Sequence, residues 1–174
     1  MKENTNISVT GHITDKIIHL DTGEVEIREG HNLVVNSFVN LIMSLLSRKT
    51  GYKGITQWAV GSGLSSWDSL PVSPSLHETS LTSEIGRKAI IPSDMKFIDS
   101  EGNESSDPTN ILRICVTFEA DECNGIWREF GLFGGDATSD LNSGILVDKR
   151  HHEVITKTST MAIERTIVFT LNLN

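Results

Sequence analysis

Apolar and polar residues alternate at the start of the chain, which predicts β-strands. Ile7, Val9 and Ile13 share one parity and therefore lie on one face of an extended segment. Residues 21–23 (Asp-Thr-Gly) have the composition of a turn, and the alternation resumes at Val25. The pattern predicts two antiparallel strands joined by a short hairpin loop.

The spacing of apolar residues then changes to that of a helix. The apolar positions follow i, i+3, i+4, i+7 and i+8, at Phe38, Leu41, Ile42, Leu45 and Leu46. Asn36 or Ser37 can serve as the N-cap, and Gly51 can end the segment. We predict one amphipathic helix over residues 37–48, with these apolar side chains turned toward a sheet or a barrel end.

The C-terminal third has the clearest strand patterns. Residues 111–120 alternate between apolar and polar side chains, and residues 161–173 do so except at Arg165. Residues 144–148 and 154–157 predict two shorter strands. Residues 64–83 are rich in serine and residues 99–110 are polar, so both are predicted to be long loops. About eight to ten strands with one helix predict a single all-β domain over residues 1–174. The expected architecture is an antiparallel, jelly-roll-like β-sandwich or an open barrel.

Composition excludes several classes of function. The 174 residues carry a net charge of −8, which argues against binding nucleic acid by neutralising phosphates and against an anionic membrane surface. No run of 18 apolar residues is present, and the first residues have no apolar core of a secretory signal. We expect neither a nucleic-acid nor a membrane partner.

The negative charge is concentrated in one part of the chain. Residues 94–129 contain 9 acids and 3 bases, which gives −6 of the total −8. Solubility explains such a cluster, and docking to a basic partner is the functional alternative. On the second interpretation Asp121, Glu122 and Glu129, with Trp67 in the serine-rich loop, are candidates for a partner-facing surface.

The two cysteines do not form a disulfide framework. Cys115 and Cys123 have neither thioredoxin-type nor zinc-ribbon spacing. We expect two free thiols, with a bridge across a tight turn as the alternative.

Catalytic, cofactor and metal motifs are all incomplete. Gly61 and Gly63 follow a predicted strand, but Ser66 stands where a dinucleotide fingerprint needs its third glycine. Residues 99–103 resemble a calcium loop, but Glu104 stands where such a loop requires glycine. No pair among the six histidines has helical i,i+4 spacing, although a site shared between subunits stays open. We therefore predict no catalytic, cofactor or metal site, and no enzyme.

Several short motifs follow one another in order along residues 24–173. They are GHNLVVN at 30–36 before the helix, WAVGSG at 58–63, Leu81 with Glu84 and Arg87, NGIWREFGLF at 124–133, GILV at 144–147, and the closing strand 161–173. The ordered set resembles small structural proteins of tailed bacteriophages and prophages, associated with the tail, baseplate, neck or fibres.

This resemblance implies a virion subunit made in the bacterial host cytoplasm. It implies assembly into a trimer, hexamer or ring, and attachment to other phage structural proteins such as fibres. One alternative is a carbohydrate-binding, receptor-recognising module of a tail fibre, with Trp58, Trp67 and Trp127 as stacking faces. Another is a β-sandwich hydrolase of glycans, which would need two carboxyls in one cleft. Within the motif, Glu129 is expected to form a structural ion pair with Arg87, Arg113 or Arg128, or to be a surface charge.

Overall fold

The computed structural model describes residues 7–69 and 72–173 as two antiparallel sheets and one helix. The elements are β1 (Ile7–His19), β2 (Val25–His31), β3 (Leu33–Val34), α1 (Ser37–Leu46), β4 (Lys53–Gly61), β5 (Glu84–Ala89), β6 (Met95–Ile98), β7 (Glu104–Ser105), β8 (Ile111–Phe118), β9 (Gly125–Gly135), β10 (Ile145–Lys157) and β11 (Met161–Leu173). The first sheet has the order β2-β1-β11-β8-β6-β7, and the second β3-β10-β9-β4-β5. The sheets pack as a sandwich, which confirms the first of the two predicted architectures.

The long strands β1 and β11 form the centre of the first sheet. They pair over their full length, from Ile7 opposite Leu173 to His19 opposite Met161. Every second residue of β1 from Gly11 to Ile17 is buried, as the alternating pattern predicts. The predicted hairpin turn is also present, and Gly23 takes the left-handed φ of 75° that the turn needs.

The apolar core lies between the two sheets. Its members come from both inner faces and include two indoles that are 0% exposed. The largest buried apolar side chains are Trp58, Trp127, Phe118, Phe130, Ile13, Ile17, Leu41 and Ile114. Burial of this much apolar surface is the main source of the fold's stability.

Helix α1 packs against the second sheet through fewer residues than its sequence predicts. Leu41 is its one buried residue, and it fits against Gly134, where an added Cβ would lie 2.8 Å from the leucine side chain. Leu45 and Leu46 were predicted to face the sheet, but they are 41% and 73% exposed. The helix is too short and too peripheral for one sheet edge to cover its whole apolar surface.

The ends of α1 also differ from the prediction. Asn36 occupies the N-cap but makes no side-chain cap bond, because its amide lies 3.2 Å from the His77 ring. The helix ends at Leu46, before Gly51, and Arg48 takes a left-handed φ of 53°. Residues 47 and 48, predicted to be helical, therefore form the turn that leaves the helix.

Three of the predicted loops and strands are corrected. The loop 64–83 contains a short 3-10 helix at Ser65–Asp68, and the loop 99–110 contains β7, which pairs with β6. The separate strands predicted at 144–148 and 154–157 are one strand, β10. Its middle is polar, which is why the sequence pattern breaks there.

Candidate functional site

Three residues of the ordered motifs, Glu84, Arg87 and Glu129, form a buried polar cluster with Lys149, and we call this cluster the loop clamp. Glu129 is 0% exposed, and its two oxygens accept hydrogen bonds from the backbone amides of Ser83 at 2.7 Å and Thr82 at 3.0 Å. The Nζ atom of Lys149 lies 3.0 Å from Oε2 of Glu129 and also pairs with Glu78. These bonds attach the end of the serine-rich loop to the outer face of the second sheet.

The other half of the clamp holds a second loop. Arg87 forms a two-point pair with Glu84, at 2.6 and 2.9 Å, and both side chains are almost fully buried. Arg87 donates to the carbonyl of Thr138 at 2.9 Å, and Glu84 accepts from the amide of Asn142 at 2.6 Å. Paired charges and satisfied amides make these buried groups structural.

The motif glycines fit around the clamp. A Cβ on Gly61 would lie 2.7 Å from Oε1 of Glu129, so a side chain there would displace the carboxylate. A Cβ on Gly131 would meet Leu146 at 2.7 Å, the Asp148 carbonyl at 3.0 Å and Leu81 at 3.1 Å. The space above Gly131 is therefore needed by Leu146 of β10 and by Leu81 at the end of the loop.

The clamp corrects two expectations about Glu129. Its ion-pair partner is Lys149 rather than Arg87, Arg113 or Arg128. It also lies in the interior, so it cannot belong to a partner-facing surface. Lys149 could not be identified as the partner from the sequence, because a lysine in a strand is usually at the surface.

The other acidic candidates lie in the turn between β8 and β9. Asp121 is exposed, whereas Glu122 is half-buried and pairs with Lys88. Burial raises the pKa of Glu122, but hydrogen bonds from Lys88 and the Glu119 amide outweigh it and hold that pKa below its usual value. Lys157 stabilises the turn, because its Nζ donates a hydrogen bond of 2.6 Å to the Glu119 carbonyl.

Of the three tryptophans, only Trp67 reaches the surface. Trp58 and Trp127 are 0% exposed, which corrects their assignment as stacking faces for a sugar. The ring of Trp67 stacks on His151 with centroids 3.8 Å apart and an interplanar angle of 22°. It also packs on Gly63, where a Cβ would lie within 2.7 Å of the indole, so protein atoms already occupy much of its ring surface.

Trp67 borders a cleft of about 700 Å³, which we call the Arg150 cleft. One wall comes from β2, one from the middle of β10 and one from the serine-rich loop. The lining residues are Arg28, His31, Trp67, Asp68, Val72, Ser73, Pro74, Arg150, His151, His152, Glu153 and Val154. Sequence reasoning missed it, although the run Arg150-His151-His152-Glu153 inside an otherwise apolar strand is unusual.

A bulge in β10 builds one wall of this cleft. His151 pairs with Glu129 of β9 and the next paired residue is Ile155, opposite Trp127. Four steps along β10 thus match two along β9, so two extra residues are accommodated between these pairs. Bulges redirect side chains and are common beside functional sites.

Both cleft histidines on β10 are neutral near pH 7. The Nδ1 atoms of His151 and His152 lie 2.6 and 2.7 Å from the backbone carbonyls of Val72 and Glu153. Because a carbonyl only accepts, Nδ1 carries the hydrogen in each ring. Burial lowers the pKa of His151 and lowers that of His152 to about 3.

A buried ion pair lies behind the cleft. Arg165 of β11 holds Asp15 of β1 through two hydrogen bonds of 2.5 and 2.7 Å. Its guanidinium carbon lies 4.7 Å from the Phe130 ring centroid and 5.3 Å from that of Trp127. Burial raises the pKa of Asp15, but the charge and hydrogen bonds of Arg165 outweigh it and the net shift is downward.

Asp148 of β10 has no such partner among the described residues. It is 0% exposed, and neither carboxyl oxygen forms a hydrogen bond within residues 7–69 and 72–173. Burial raises the pKa of Asp148 well above its usual value, and the charge of Arg150 offsets only part of this shift. The group is therefore held in its protonated form over a wider pH range than an exposed aspartate.

A second surface feature is apolar, and we call it the apolar end: the exposed stripe of α1 and the groove beside it. Val39, Met43 and Leu46 follow i, i+4 and i+7 spacing on the helix and are 60%, 59% and 73% exposed. The adjoining groove has a volume of about 220 Å³. It is lined by Val9, Phe38, Ile55, Thr109, Asn110, Leu112, Val147, Phe169 and Leu171.

The described residues contain neither a metal-ligand cluster nor a disulfide. Within residues 7–69 and 72–173, no group of three or more His, Cys, Asp or Glu side chains is placed to hold a metal ion. Cys115 and Cys123 are both free, as expected from their spacing. In the same part of the chain, no helix has the length and apolar character needed to span a membrane.

Comparison of the chain with protein-family models, with curated proteins and with solved structures found no match.

Proposed function

We propose that this protein is a non-catalytic structural subunit of a phage or phage-like particle. It assembles with copies of itself in the tail, baseplate or neck and attaches other components such as fibres. The proposal combines the motif resemblance with one structural observation, the apolar end.

The stripe on α1 has the character of an interface. A helix with apolar residues on both its inner and outer faces is normally buried on both. Here only Leu41 is buried by the chain itself, whereas Val39, Met43 and Leu46 remain exposed. A neighbouring subunit that covered this stripe would remove from water the most exposed apolar side chains of the helix.

The distribution of charge also favours α1 as the site of contact between two copies of the protein. The protein carries −8 overall, so two copies repel each other over most of their surface. Helix α1, with the sequence SFVNLIMSLL, contains no charged residue. Contact through α1 therefore buries apolar area without bringing like charges together.

The groove extends this surface around the end of the sandwich. Phe38 belongs to both the helix and the groove, and Leu171 at its edge is 38% exposed. Leu173, two residues further along β11, is 70% exposed. A continuous uncharged surface of this kind suits the repeated contacts of a ring or trimer.

Analytical ultracentrifugation of the wild type and of Met43→Glu tests the assembly. We expect a concentration-dependent oligomer for the wild type and a monomer for Met43→Glu, because a buried carboxylate would cost several kcal/mol in the contact. Leu141→Glu is the matched control, since Leu141 is 54% exposed in a loop away from α1, and it should oligomerise normally. A wild type that stays monomeric at high concentration, or a Met43→Glu variant that still assembles, would contradict self-assembly through α1.

The place of the protein in a particle is tested separately. Phage-like particles released from the bacterium that carries the gene are purified by density gradient and probed with an antibody against the chain. We expect the protein to co-migrate with the particles, and genes for tube, sheath or baseplate components beside its own. Recovery only in the particle-free fraction, in a gene neighbourhood of metabolic enzymes, would overturn the virion role.

A further inference from the structure

The Arg150 cleft contains a cation without a counter-ion. The Arg150 side chain is half-buried, and its Nη2 donates to the backbone carbonyl of Glu29 at 3.2 Å. Within residues 7–69 and 72–173 it forms no ion pair with any carboxylate. The acids that act on it electrostatically, Asp15, Asp148 and Glu153, all do so from beyond ion-pair distance.

The other charges that line the cleft are accounted for. Arg28 pairs with Glu26 at 2.6 Å. Asp68 accepts two hydrogen bonds of 2.8 Å from Arg128, and these hold the pKa of that carboxyl below its usual value. Glu153 is exposed to water, where its charge is screened. The two β10 histidines are neutral, so the uncompensated charge in the cleft is that of Arg150.

Arg150 is placed where an anion would gain most from it. Gly30 on β2 lies directly against the guanidinium, and any side chain at this position would occupy the space of Arg150. Burial lowers the pKa of Arg150, with the charge of Arg165 adding to the effect. A charge that has lost part of its hydration interacts more strongly with an arriving counter-ion than an exposed one.

The shape of the cleft suits a small molecule. Its volume of about 700 Å³ lies in the range of known ligand sites. The stacked rings of Trp67 and His151 form part of the cleft wall, and His31 and Ser73 add polar groups to the lining. These groups can bind hydroxyls, whereas a single guanidinium offers two parallel donors to a planar carboxylate.

We propose that the Arg150 cleft binds a carboxylate-bearing small molecule of the size of a sugar acid, with its carboxylate on Arg150 and its ring beside the Trp67–His151 wall. This site is separate from the apolar end and does not depend on the assembly proposed above. One arginine favours a planar carboxylate over phosphate, because phosphate sites usually combine several cationic or amide donors.

The test is a titration followed by ¹H–¹⁵N NMR, with the indole signal of Trp67 and the amides of residues 150–154 as reporters. The probes are glucuronate, its neutral counterpart glucose, and inorganic phosphate at equal ionic strength. We expect saturable shifts with glucuronate and none with glucose. Absence of saturable shifts with glucuronate would overturn the proposal, and equal binding of phosphate would overturn the preference for a carboxylate.

Variants of Arg150 test whether this residue binds glucuronate. Arg150→Gln should weaken glucuronate binding at least tenfold, and Arg150→Lys should retain part of it because the charge remains without the planar fork. Arg113→Gln is the control, because Arg113 pairs with Glu104 and does not line the cleft. Spectra of each free variant establish that it is folded. Undiminished binding by folded Arg150→Gln would overturn the assignment of Arg150.

Discussion

Asp148 and Lys149 are neighbours on β10, and both are 0% exposed, yet their surroundings differ. Lys149 faces the outer side of the second sheet, where Glu129, Glu78, Thr82 and the Ser80 carbonyl surround its Nζ. Within the described residues, the carboxyl of Asp148 has no hydrogen-bond partner. Adjacent residues of one strand thus carry a fully paired buried charge and a buried carboxyl that is left unpaired.

The difference shows two uses of buried polar groups in one domain. In the loop clamp, every charge has a partner, and the result is a fixed loop. Around Asp148 and Arg150 the interior keeps polar groups that the fold alone does not satisfy. Such groups cost stability. Among the described residues, polar atoms without a hydrogen-bond partner occur on the cleft residues His151 and His152 and on Asp148 and Arg165, and also on Asn32, Thr56 and Trp58.

The largest effect is expected from breaking the loop clamp at Lys149. Lys149→Met would leave the buried carboxylate of Glu129 without its cation, and we expect unfolding to become easier by about 3–5 kcal/mol. Urea denaturation measures this change. Lys53→Met, at an exposed position of β4, should change stability by less than about 0.5 kcal/mol. Equal effects of the two substitutions would show that the clamp does not stabilise the fold.

Asp15→Asn removes a carboxylate that, unlike the Asp148 carboxyl, accepts two hydrogen bonds from a buried arginine, Arg165. Arg165 would remain buried and unpaired, so we expect a loss of roughly 3 kcal/mol near pH 7. Because the pKa of Asp15 is lowered in the fold, its contribution is present above the ordinary value of 3.8 and is lost as the pH falls. Denaturation midpoints of the two proteins should therefore converge on acidification. A constant difference across pH would contradict the ion pair as its source.

The fold could be predicted from the sequence because alternation is a direct consequence of burial on one face. The alternating residues 111–120 contain β8, and residues 161–173, which alternate except at Arg165, form β11. The same rule fails for β10, whose interior includes Asp148, Lys149 and Arg150. Charged residues at buried positions break the hydrophobic pattern, so the strand was divided into two pieces.

The Arg150 cleft could not be predicted for a related reason. Its walls come from β2, the serine-rich loop and β10, which are distant in sequence. Strand β2 is at an edge of the first sheet, and β10 lies beside the edge strand β3 of the second, so the packing of the two sheets brings these walls together. Alternation within one strand contains no information on this packing. The partner of Glu129 was missed likewise, because Lys149 is its neighbour only through the pairing of β9 and β10.

Asp148→Asn tests the effect of the buried carboxyl that has no hydrogen-bond partner among the described residues. The raised pKa of Asp148 means that the folded protein binds this proton more tightly than the unfolded chain, whose value is near 3.8. Wild-type stability therefore falls as the pH rises from that value toward the folded pKa, by about 1.4 kcal/mol per pH unit from this group. Asn cannot ionise, so the variant should gain stability relative to the wild type as the pH increases.

Urea denaturation at several pH values between 4 and 8 measures this gain, the interval following from the direction of the shift. Asp107→Asn, at an exposed position, is the control and should follow the wild-type curve. Parallel curves for Asp148→Asn and the wild type would show that Asp148 is ionised in the folded protein. The two substitutions should respond oppositely to pH. Stability relative to the wild type should rise with pH for Asp148→Asn and fall with pH for Asp15→Asn.

The smallest effect is expected at a surface ion pair, which completes the comparison between exposed and buried charges. Arg113 and Glu104 join β8 to the short β7, and their side chains are 33% and 55% exposed. Water and salt screen such a pair, so Glu104→Gln should cost less than about 1 kcal/mol, and added salt should reduce even that. Urea denaturation at low and high salt measures the change. A loss of stability as large as that of Lys149→Met would mean that β7 is essential to the edge of the first sheet. It would also mean that solvent exposure does not explain the difference between the Arg113–Glu104 pair and the buried Lys149–Glu129 pair.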